Sequence, residues 1–538
     1  MQFQCGKPTS LTALNQPSAW FNTCNLNDYS QPRSVNMFKQ ARAWEDDAGA
    51  YTAAQLVSGG YVTKGGKINS LPSGVTTLKS YLMIGAQPAY VTLSSLSYLS
   101  DRYTFKCSGS ATLDAAGTGV SIVSSVAGQL VFDFDATASN AYCVLKVTPT
   151  NPVDLPRGFT CIGAKMASAS AAGLIWRPDL WTQMAGAAGH RMMKLSNTDG
   201  DNSAILHWSD RPQFSDEYWS GGMPLEAQIA YGNESGKHVW FCCPYAVDDN
   251  YMLQMATLIR DTLNPALISF AEFSNEDWNF GYGYVTDIYN RGNALWGVAG
   301  GNENEWHAMR STQMMVIFSG VFAGQMKRLR RVMGTQAGNV GVTNRVLAAA
   351  KWQAASPGAW VDPKSVHDYL GTTGYFGHSV LSTNASAIAT ALGTSQAAAV
   401  NAILNTYAPA AAAAIKTNLA SDIALAKAAG LKTCLYENSQ HMNLSQAAGT
   451  ALYSGSNPIA GAVDMMEAVY QDARCEAIKD DIFKSFKLAG GTFECIFGDF
   501  GWTAAGGGWY TWRYIGDTTT QGTAYAARSA ANPRWFHY

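Results

Sequence analysis

The most constraining feature of this 538-residue sequence is the alternation of short apolar runs with longer helical stretches from about residue 156 onward. Short apolar runs predict buried parallel strands, and the stretches between them predict the crossover helices that parallel strands require. This alternation favours an α/β fold in which helices cover a parallel sheet. The predicted strands of this segment are 190–195, 238–243, 267–273, 345–350, 365–369, 432–436 and 492–497.

A further apolar run near the N-terminus, at 34–38, brings the count to eight strand–helix units. Eight units favour closure of the sheet into a (β/α)8 TIM barrel, and a doubly wound open sheet is the alternative. Long helices are predicted over 306–333, 400–429 and 460–488. Pro409, in an alanine-rich run, predicts the start of a new helix because proline is tolerated only in a first helical turn.

The amino-acid composition changes between about 67 and 155, a segment that is rich in Ser, Thr, Val, Ala and Gly. Runs that alternate with period two and are separated by turn residues predict an antiparallel β-sandwich, inserted after the first barrel strand. We therefore expect three parts. Residues 1–66 hold an N-terminal segment and the first barrel strand, 67–155 the inserted sandwich, and 156–538 the rest of the catalytic barrel with a C-terminal aromatic loop.

The charge balance excludes several classes of partner. The chain has 37 Lys and Arg against 39 Asp and Glu, a net charge of −2. This balance gives no basic surface for nucleic acid or for an anionic membrane. No apolar run long enough to span a bilayer is evident. No signal peptide is visible, and an extracellular or virion-associated location is favoured.

The ten cysteines do not show the spacing of a zinc site, so we expect neither a metal nor another cofactor. Disulfides between Cys5 and Cys24, or between Cys107 and Cys143, stay open at this stage. The sequence also leaves the oligomeric state open.

Two apolar strands each run directly into a glutamate: 270–279 contains Glu276, and 433–441 contains Glu437. These are the fourth and seventh predicted strands, and barrel active sites lie at the C-terminal ends of the strands. Cleavage of a glycosidic bond needs one carboxyl to protonate the leaving oxygen and another to face the anomeric carbon. The pair therefore predicts a glycosidase site, in which Asn275 could hydrogen-bond a sugar 2-hydroxyl.

With Asn-Glu at the fourth strand end and Glu at the seventh, the sequence resembles glycoside hydrolase clan A. It looks closest to barrel proteins described as cellulase-like or cellulose-binding, through 272–279, 39–44, Arg191-Met192 and Trp208 with Arg211. The resemblance implies a retaining mechanism on a polysaccharide or oligosaccharide. It further implies that Glu276 is the acid/base and Glu437 the nucleophile. Many clan members have a small residue after the nucleophile, whereas Asn438 follows it here.

Several other residues are candidates to support the site or to bind sugar. Arg191 could keep a catalytic carboxylate ionised or could form a purely structural salt bridge. His367 and Tyr369 are predicted to end the sixth strand, where a hydroxyl could orient Glu437. The remaining candidate sugar-binding residues, some of which are equally plausible as core residues, are Tyr245, His441, Trp44, Trp208, Trp278 and Trp502. Acidic residues after the second strand are alternative acids: Asp210, Asp216, Glu217 and Glu226.

Three functional hypotheses follow. The first is an enzyme that hydrolyses a neutral, β-linked polysaccharide. The second is a non-catalytic carbohydrate-binding or adhesin protein that keeps the barrel. The third is a virion component, such as a tail protein, that recognises or degrades surface glycans.

Overall fold

The computed structural model describes residues 19–22, 32–82, 93–501, 510–532, 534 and 536–538. Eight parallel strands close into a barrel, which confirms the predicted (β/α)8 fold. In order around the barrel the strands are Ala19–Asn22, Gly189–Arg191, His238–Cys243, Ser269–Phe273, Leu329–Gly334, Tyr369–Thr373, Lys432–Asn438 and Glu494–Phe497.

The first barrel strand closes the barrel by pairing with both the second and the eighth strands. Ala19 lies opposite Glu494 in the eighth strand, and Asn22 lies opposite Arg191 in the second. All of these pairings are parallel, so the C-terminal ends of the strands meet at one rim. This rim is where side chains that follow the strands can come together.

Two strand predictions were wrong. The first barrel strand is not 34–38, because Met37–Gln40 forms a 3-10 helix whose N-cap, Asn36, accepts a hydrogen bond from Phe38 N–H. The fifth strand is Leu329–Gly334 rather than 345–350, and the latter run lies largely in helix Val340–Ala348. The apolar residues Val342, Val346 and Leu347 form one buried face of that helix.

The sixth strand is displaced from its predicted position by several residues. It spans Tyr369–Thr373, and the preceding short helix Pro363–Val366 occupies part of the predicted strand 365–369. Tyr369 therefore begins this strand instead of ending it. It lies at the N-terminal end of the barrel, opposite the rim at which we expect catalysis.

Two antiparallel sheets lie between the first and second barrel strands along the chain. One sheet contains Glu45–Asp46, Leu78–Leu82, Cys143–Pro149 and Ala111–Ala116, and the other contains Val120–Val126, Gln129–Phe134, Asp101–Ser108 and Arg157–Gly163. Residues from both sheets, including Leu145 and Phe132, share one buried apolar cluster, as in a sandwich. The boundaries at 67 and 155 stay predictions. Cys107 and Cys143 do not form a disulfide, and Cys5 and Cys24 lie outside the described residues.

Helices surround the barrel. The helices of eight or more residues are Leu225–Ser235, Asp249–Thr262, Tyr284–Trp296, Asn302–Val321, Val340–Ala348, Ala385–Thr394, Ala408–Ala428, Ala462–Gln471, Ala473–Ala489 and Thr520–Ala531. Pro409 lies in the first turn of Ala408–Ala428, but it does not start a separate helix, because the π-helical turn Ile403–Tyr407 leads directly into this one. The continuous helical stretch Gln396–Ala428 is long and apolar enough for a membrane span by length and composition. It packs in the helical layer against helix Ala473–Ala489, and the expectation of no membrane span stays a prediction.

Aromatic side chains fill the barrel interior toward its N-terminal end. The ring of Trp20 packs edge-on against Phe270 at 4.8 Å and stacks with Phe493 at 5.0 Å between centroids. The C-terminal residue Tyr538 also contacts this group, and its hydroxyl accepts a hydrogen bond from the Trp20 indole at 3.1 Å. Because this end is packed with rings, an open site can form only at the opposite rim.

Candidate active site

Arg191, at the end of the second strand, connects the two strands that carry the predicted catalytic residues. Its guanidinium donates two hydrogen bonds to Glu272, at 2.8 and 3.0 Å, and one to Glu437 at 2.9 Å. A fourth hydrogen bond, at 3.0 Å, reaches the side-chain oxygen of Asn275. Arg191 is fully buried. A buried cation with this many acceptors fixes the relative positions of the fourth and seventh strand ends.

Glu437 is buried at the end of the seventh strand, with 6% of its surface exposed. One carboxylate oxygen accepts from Arg191, and the other accepts from the Tyr375 hydroxyl at 3.0 Å. Burial raises the pKa of Glu437 to about 7, Arg191 opposes this rise, and the charge of Glu276 adds to it. Glu276 therefore lies within electrostatic reach of Glu437.

Glu276 lies half-buried in the turn that follows the fourth strand. Its carboxylate accepts hydrogen bonds from the Tyr436 hydroxyl at 3.0 Å and from the Asn279 side-chain amide at 2.9 Å. Tyr436 directly precedes Glu437, so the seventh strand contributes to both carboxylates. Among the described residues no cation makes an ion pair with Glu276, which distinguishes its surroundings from those of Glu437.

The turn that presents Glu276 has an unusual backbone. Ser274 and Glu276 both have positive φ, at 58° and 47°. Residues other than glycine rarely adopt this backbone region. Asp277 holds this turn because its buried carboxylate accepts from the Ser274 hydroxyl and pairs with His307 at 2.7 Å. Strain of this kind persists only where surrounding contacts enforce it, and it is common at functional sites.

Asn275 has an unused hydrogen-bond donor. Its oxygen accepts from Arg191, but its buried side-chain N–H2 group has no partner among the described residues. An unpaired buried donor carries a desolvation cost that a bound acceptor would remove. This position beside the two glutamates agrees with the predicted contact to a sugar hydroxyl.

Two further predicted residues lie near the site. The ring of His441 stacks on Tyr375, with centroids 4.9 Å apart, and burial lowers the His441 pKa to about 4. Trp278 is largely buried and packs near Tyr436, at 6.5 Å between ring centroids. Whether either side chain binds sugar stays a prediction.

Tyr245 and Trp208 lie in contacts of their own. Tyr245 is buried and stacks on Tyr284, which lies between Tyr245 and the site. Tyr245 therefore supports Tyr284 from the side away from the site. Trp208 is half-buried, and the Arg211 guanidinium covers one ring face at 4.2 Å from the centroid. That face is not open for stacking against a sugar.

The structure places three predicted sugar-binding residues away from the site. Trp44 lies in the sandwich core, 1% exposed, with its indole N–H donating to the Gly66 carbonyl. His367 is buried before the sixth strand, where it contacts Ser311 and Pro363. Tyr369 packs among the rings at the N-terminal end of the barrel. Trp502 lies outside the described residues.

Two of the alternative acids are already engaged elsewhere. Glu217 accepts the backbone N–H groups of Gly158 and Phe159 in the inserted sandwich. Glu226 pairs with Arg211 at 2.7 Å. Neither carboxylate makes a contact with the Arg191 network, which favours Glu276 as the acid.

Sequence reasoning missed Glu272, Tyr375, Tyr436 and Asn279 as members of the site. The signal for Tyr436 and Asn279 was present, because both lie beside a candidate glutamate. Tyr375 was missed because the sixth strand was placed several residues too early. No sequence pattern marks Glu272 as a site residue, because a charged residue inside an apolar strand is normally interpreted as a partner in a core ion pair.

Within the described ranges, no group of three or more His, Cys, Asp or Glu side chains is arranged to hold a metal ion. The site is built instead from carboxylates, one guanidinium and hydroxyl donors.

Comparisons with known proteins give only weak similarities. No protein-family model matches the sequence. No curated protein matches it either. The β-D-glucuronidase of Dictyoglomus thermophilum is 8% identical over 88% of this chain and 94% of its own, with a TM-score of 0.32. A β-(1,4)-mannanase of Podospora anserina is 11% identical over 84% and 88%, with a TM-score of 0.26. At such scores neither similarity supports an argument about function.

Proposed function

We propose that this protein is a retaining glycoside hydrolase that cleaves a neutral, β-linked polysaccharide, with Glu276 as acid/base and Glu437 as nucleophile. The observation that carries the proposal is the shared network at the barrel rim, in which Arg191, Tyr375 and Tyr436 hold the two carboxylates. Two carboxyls at one site are the minimum that this reaction needs.

The hydrogen bonds support a division of roles between the two glutamates. Two closely spaced carboxyls that differ in environment share one proton over an intermediate pH range. Arg191 and Tyr375 donate to Glu437 and favour its ionised form. Glu276 has no such cation among the described residues, and its hydrogen-bond donors, Tyr436 and Asn279, are neutral. The two environments therefore favour Glu437 as the nucleophile and Glu276 as the acid/base.

In the first step, a Glu437 oxygen attacks the anomeric carbon while Glu276 gives its proton to the glycosidic oxygen. The bond between the anomeric carbon and that oxygen breaks, which leaves a glycosyl ester on Glu437 and a free alcohol. In the second step, Glu276 takes a proton from water, and the water oxygen attacks the anomeric carbon. The ester bond breaks, Glu437 returns to its ionised form, and one water has been consumed.

A neutral substrate fits the site, because the Arg191 guanidinium is already paired with Glu272 and Glu437 and is not free to bind an anionic sugar. The β-linkage rests on the resemblance to clan A.

The test compares the wild-type chain with Glu276→Gln and Glu437→Gln on soluble β-1,4-glucan, mannan, xylan and galactan. We expect each variant to lose about 100- to 10,000-fold in kcat on the polysaccharide that is cleaved. The two roles separate on 2,4-dinitrophenyl β-glycosides, whose leaving group needs no protonation. The loss in kcat/KM should be much smaller there than on polysaccharide for Glu276→Gln, but equally large for Glu437→Gln.

Glu226→Gln is the matched control, because this glutamate follows the second strand but pairs with Arg211 instead of Arg191. It should keep wild-type kcat and KM. If both catalytic variants hydrolyse the panel as fast as wild type, or if the wild type binds oligosaccharide without cleaving it, the hydrolase proposal is wrong. The second outcome would favour a carbohydrate-binding protein.

A further inference from the structure

A stack of three tyrosines lies beside the turn that carries Glu276. The rings of Tyr282 and Tyr284 are parallel to within 19°, and those of Tyr284 and Tyr245 to within 22°, each pair with centroids 5.5 Å apart. Tyr245 and Tyr284 are buried, whereas Tyr282 is half-buried. Tyr282 is therefore the outermost ring of a stack that fixes its orientation.

Two hydrogen-bonded turns and one side-chain contact tie this stack to the catalytic turn. The Asn279 N–H donates to the Glu276 carbonyl at 2.8 Å, and the Tyr282 N–H donates to the Asn279 carbonyl at 2.9 Å. The Tyr284 hydroxyl donates to the carbonyl of Asn275. Tyr282 is thus placed by the same loop that places Glu276, the residue proposed to protonate the leaving oxygen.

The hydroxyl of Tyr282 is available to a ligand. No side chain or backbone group in the described part of the chain hydrogen-bonds to it, in contrast to the hydroxyls of Tyr375 and Tyr436. Burial, followed by the charges of Glu276 and Glu437, raises the pKa of Tyr282, so the hydroxyl stays protonated. It is a neutral group that can both donate and accept.

Tyr282 and Tyr375 come from two different loops of the rim. Tyr282 follows the fourth strand and Tyr375 follows the sixth. Burial, followed by the charges of Glu437 and Glu276, raises the pKa of Tyr375, and Tyr282 adds a smaller effect. Both tyrosines therefore lie within electrostatic reach of the same two carboxylates.

We propose that Tyr282 forms a binding subsite for the sugar on the leaving-group side, with its hydroxyl hydrogen-bonded to a hydroxyl of that sugar. This inference rests on the proposed function and adds to it a residue that recognises the polysaccharide: a sugar residue, instead of a small aglycone, occupies the leaving-group side. The stack pre-orders the ring, so the contact costs little side-chain entropy on binding.

The test measures kcat/KM on two substrates for the wild type and for Tyr282→Phe, which keeps the stack but removes the hydroxyl. The substrates are an oligosaccharide of the polysaccharide that is cleaved, and the 2,4-dinitrophenyl glycoside of the same sugar. The second has no leaving-group sugar. We expect the ratio of the first kcat/KM to the second to fall by about threefold to tenfold. Tyr142→Phe, on the exposed surface of the sandwich, is the matched control and should keep the wild-type ratio.

A ratio equal to that of the wild type, or equal losses on both substrates, would overturn the assignment of Tyr282 to the leaving-group side. Failure of the proposed function looks different, because the wild type would then not cleave either substrate. In that case, oligosaccharides of β-1,4-glucan, mannan, xylan and galactan are titrated calorimetrically into the wild type and into Tyr282→Phe. Weaker binding by the variant supports the subsite, and equal binding removes it.

Discussion

Replacing Arg191 by methionine removes the cation that holds the candidate site together while keeping a long apolar side chain. Arg191 is fully buried, and the side chains of Glu272 and Glu437 are 4% and 8% exposed. The substitution therefore leaves two carboxylates in a region of low dielectric, without their counter-charge. It also removes four hydrogen bonds, to Glu272, Glu437 and Asn275.

The size of the effect follows from this burial. Breaking a buried ion pair by removing one partner costs about 3–5 kcal/mol, because the remaining charge is not compensated. We expect Arg191→Met to lose this much free energy of unfolding at pH 8, which is above the Glu437 pKa of about 7. The packing of the side chain against Trp240 and Tyr436 is partly kept by methionine, so the loss is mainly electrostatic.

The loss should depend on pH in a defined direction. The pKa of Glu437 is already raised by burial from 4.5 to about 7 with Arg191 present, and removing Arg191 raises it further. The folded variant then binds protons that the unfolded chain has released, so its stability falls as pH rises from about 4.5 to above 7. The difference from wild type should therefore be smallest near pH 5 and largest near pH 8.

The assay is equilibrium unfolding in urea, followed by tryptophan fluorescence, at pH 5, 6, 7 and 8. Arg102→Met is the control, because it breaks an exposed ion pair with Asp133 in the sandwich. It should leave the unfolding midpoint unchanged at every pH. A loss for Arg191→Met that is the same at pH 5 and pH 8, or below about 1 kcal/mol at pH 8, would refute the reasoning.

Three other predictions concern activity and the sandwich core. Because the charge of Glu276 contributes to a Glu437 pKa of about 7, the pair should lose its last proton near that pH, and kcat/KM should fall as pH rises through 7. Tyr375→Phe removes a donor to Glu437, so it should lower kcat about tenfold to a hundredfold and shift the pH profile of kcat/KM to higher pH; an unshifted profile would contradict this. Trp44→Phe should lower the urea midpoint through a loss of about 1–3 kcal/mol and leave KM unchanged, and a raised KM would restore Trp44 as a sugar-binding residue.

The fold was predictable from the sequence where apolar runs were long and isolated. The strand His238–Cys243 is almost continuously apolar, and Lys432–Asn438 contains the apolar run 434–436, as is typical of parallel strands buried on both faces. The strand Leu329–Gly334 was missed because it contains two arginines, of which Arg331 pairs with Asp368 at the barrel surface. The strand Ala19–Asn22 has only four residues, too few for periodicity to detect.

The candidate site was predictable at Glu276 and Glu437 and at two residues of the network around them, Arg191 and Asn275. Glu276 and Glu437 follow apolar strands, and the order of the strands alone brings them to one rim. Tyr375 lies two residues beyond a strand end, so an error in the strand boundary concealed it. Trp44 is the opposite error, a core residue that was predicted to bind sugar. A tryptophan suited to sugar stacking is equally suited to a core, and the sequence does not distinguish the two.

The most direct test of the central claim is mass spectrometry of the chain after incubation with 2,4-dinitrophenyl 2-deoxy-2-fluoro-β-glycosides of glucose, mannose, xylose and galactose. Fluorine slows both steps, and the activated leaving group keeps the first step faster than the second, so a glycosyl ester accumulates. We predict one added fluorosugar, located by peptide mapping on Glu437. A label on another residue, or no label from a sugar whose polysaccharide the chain hydrolyses, would contradict the account.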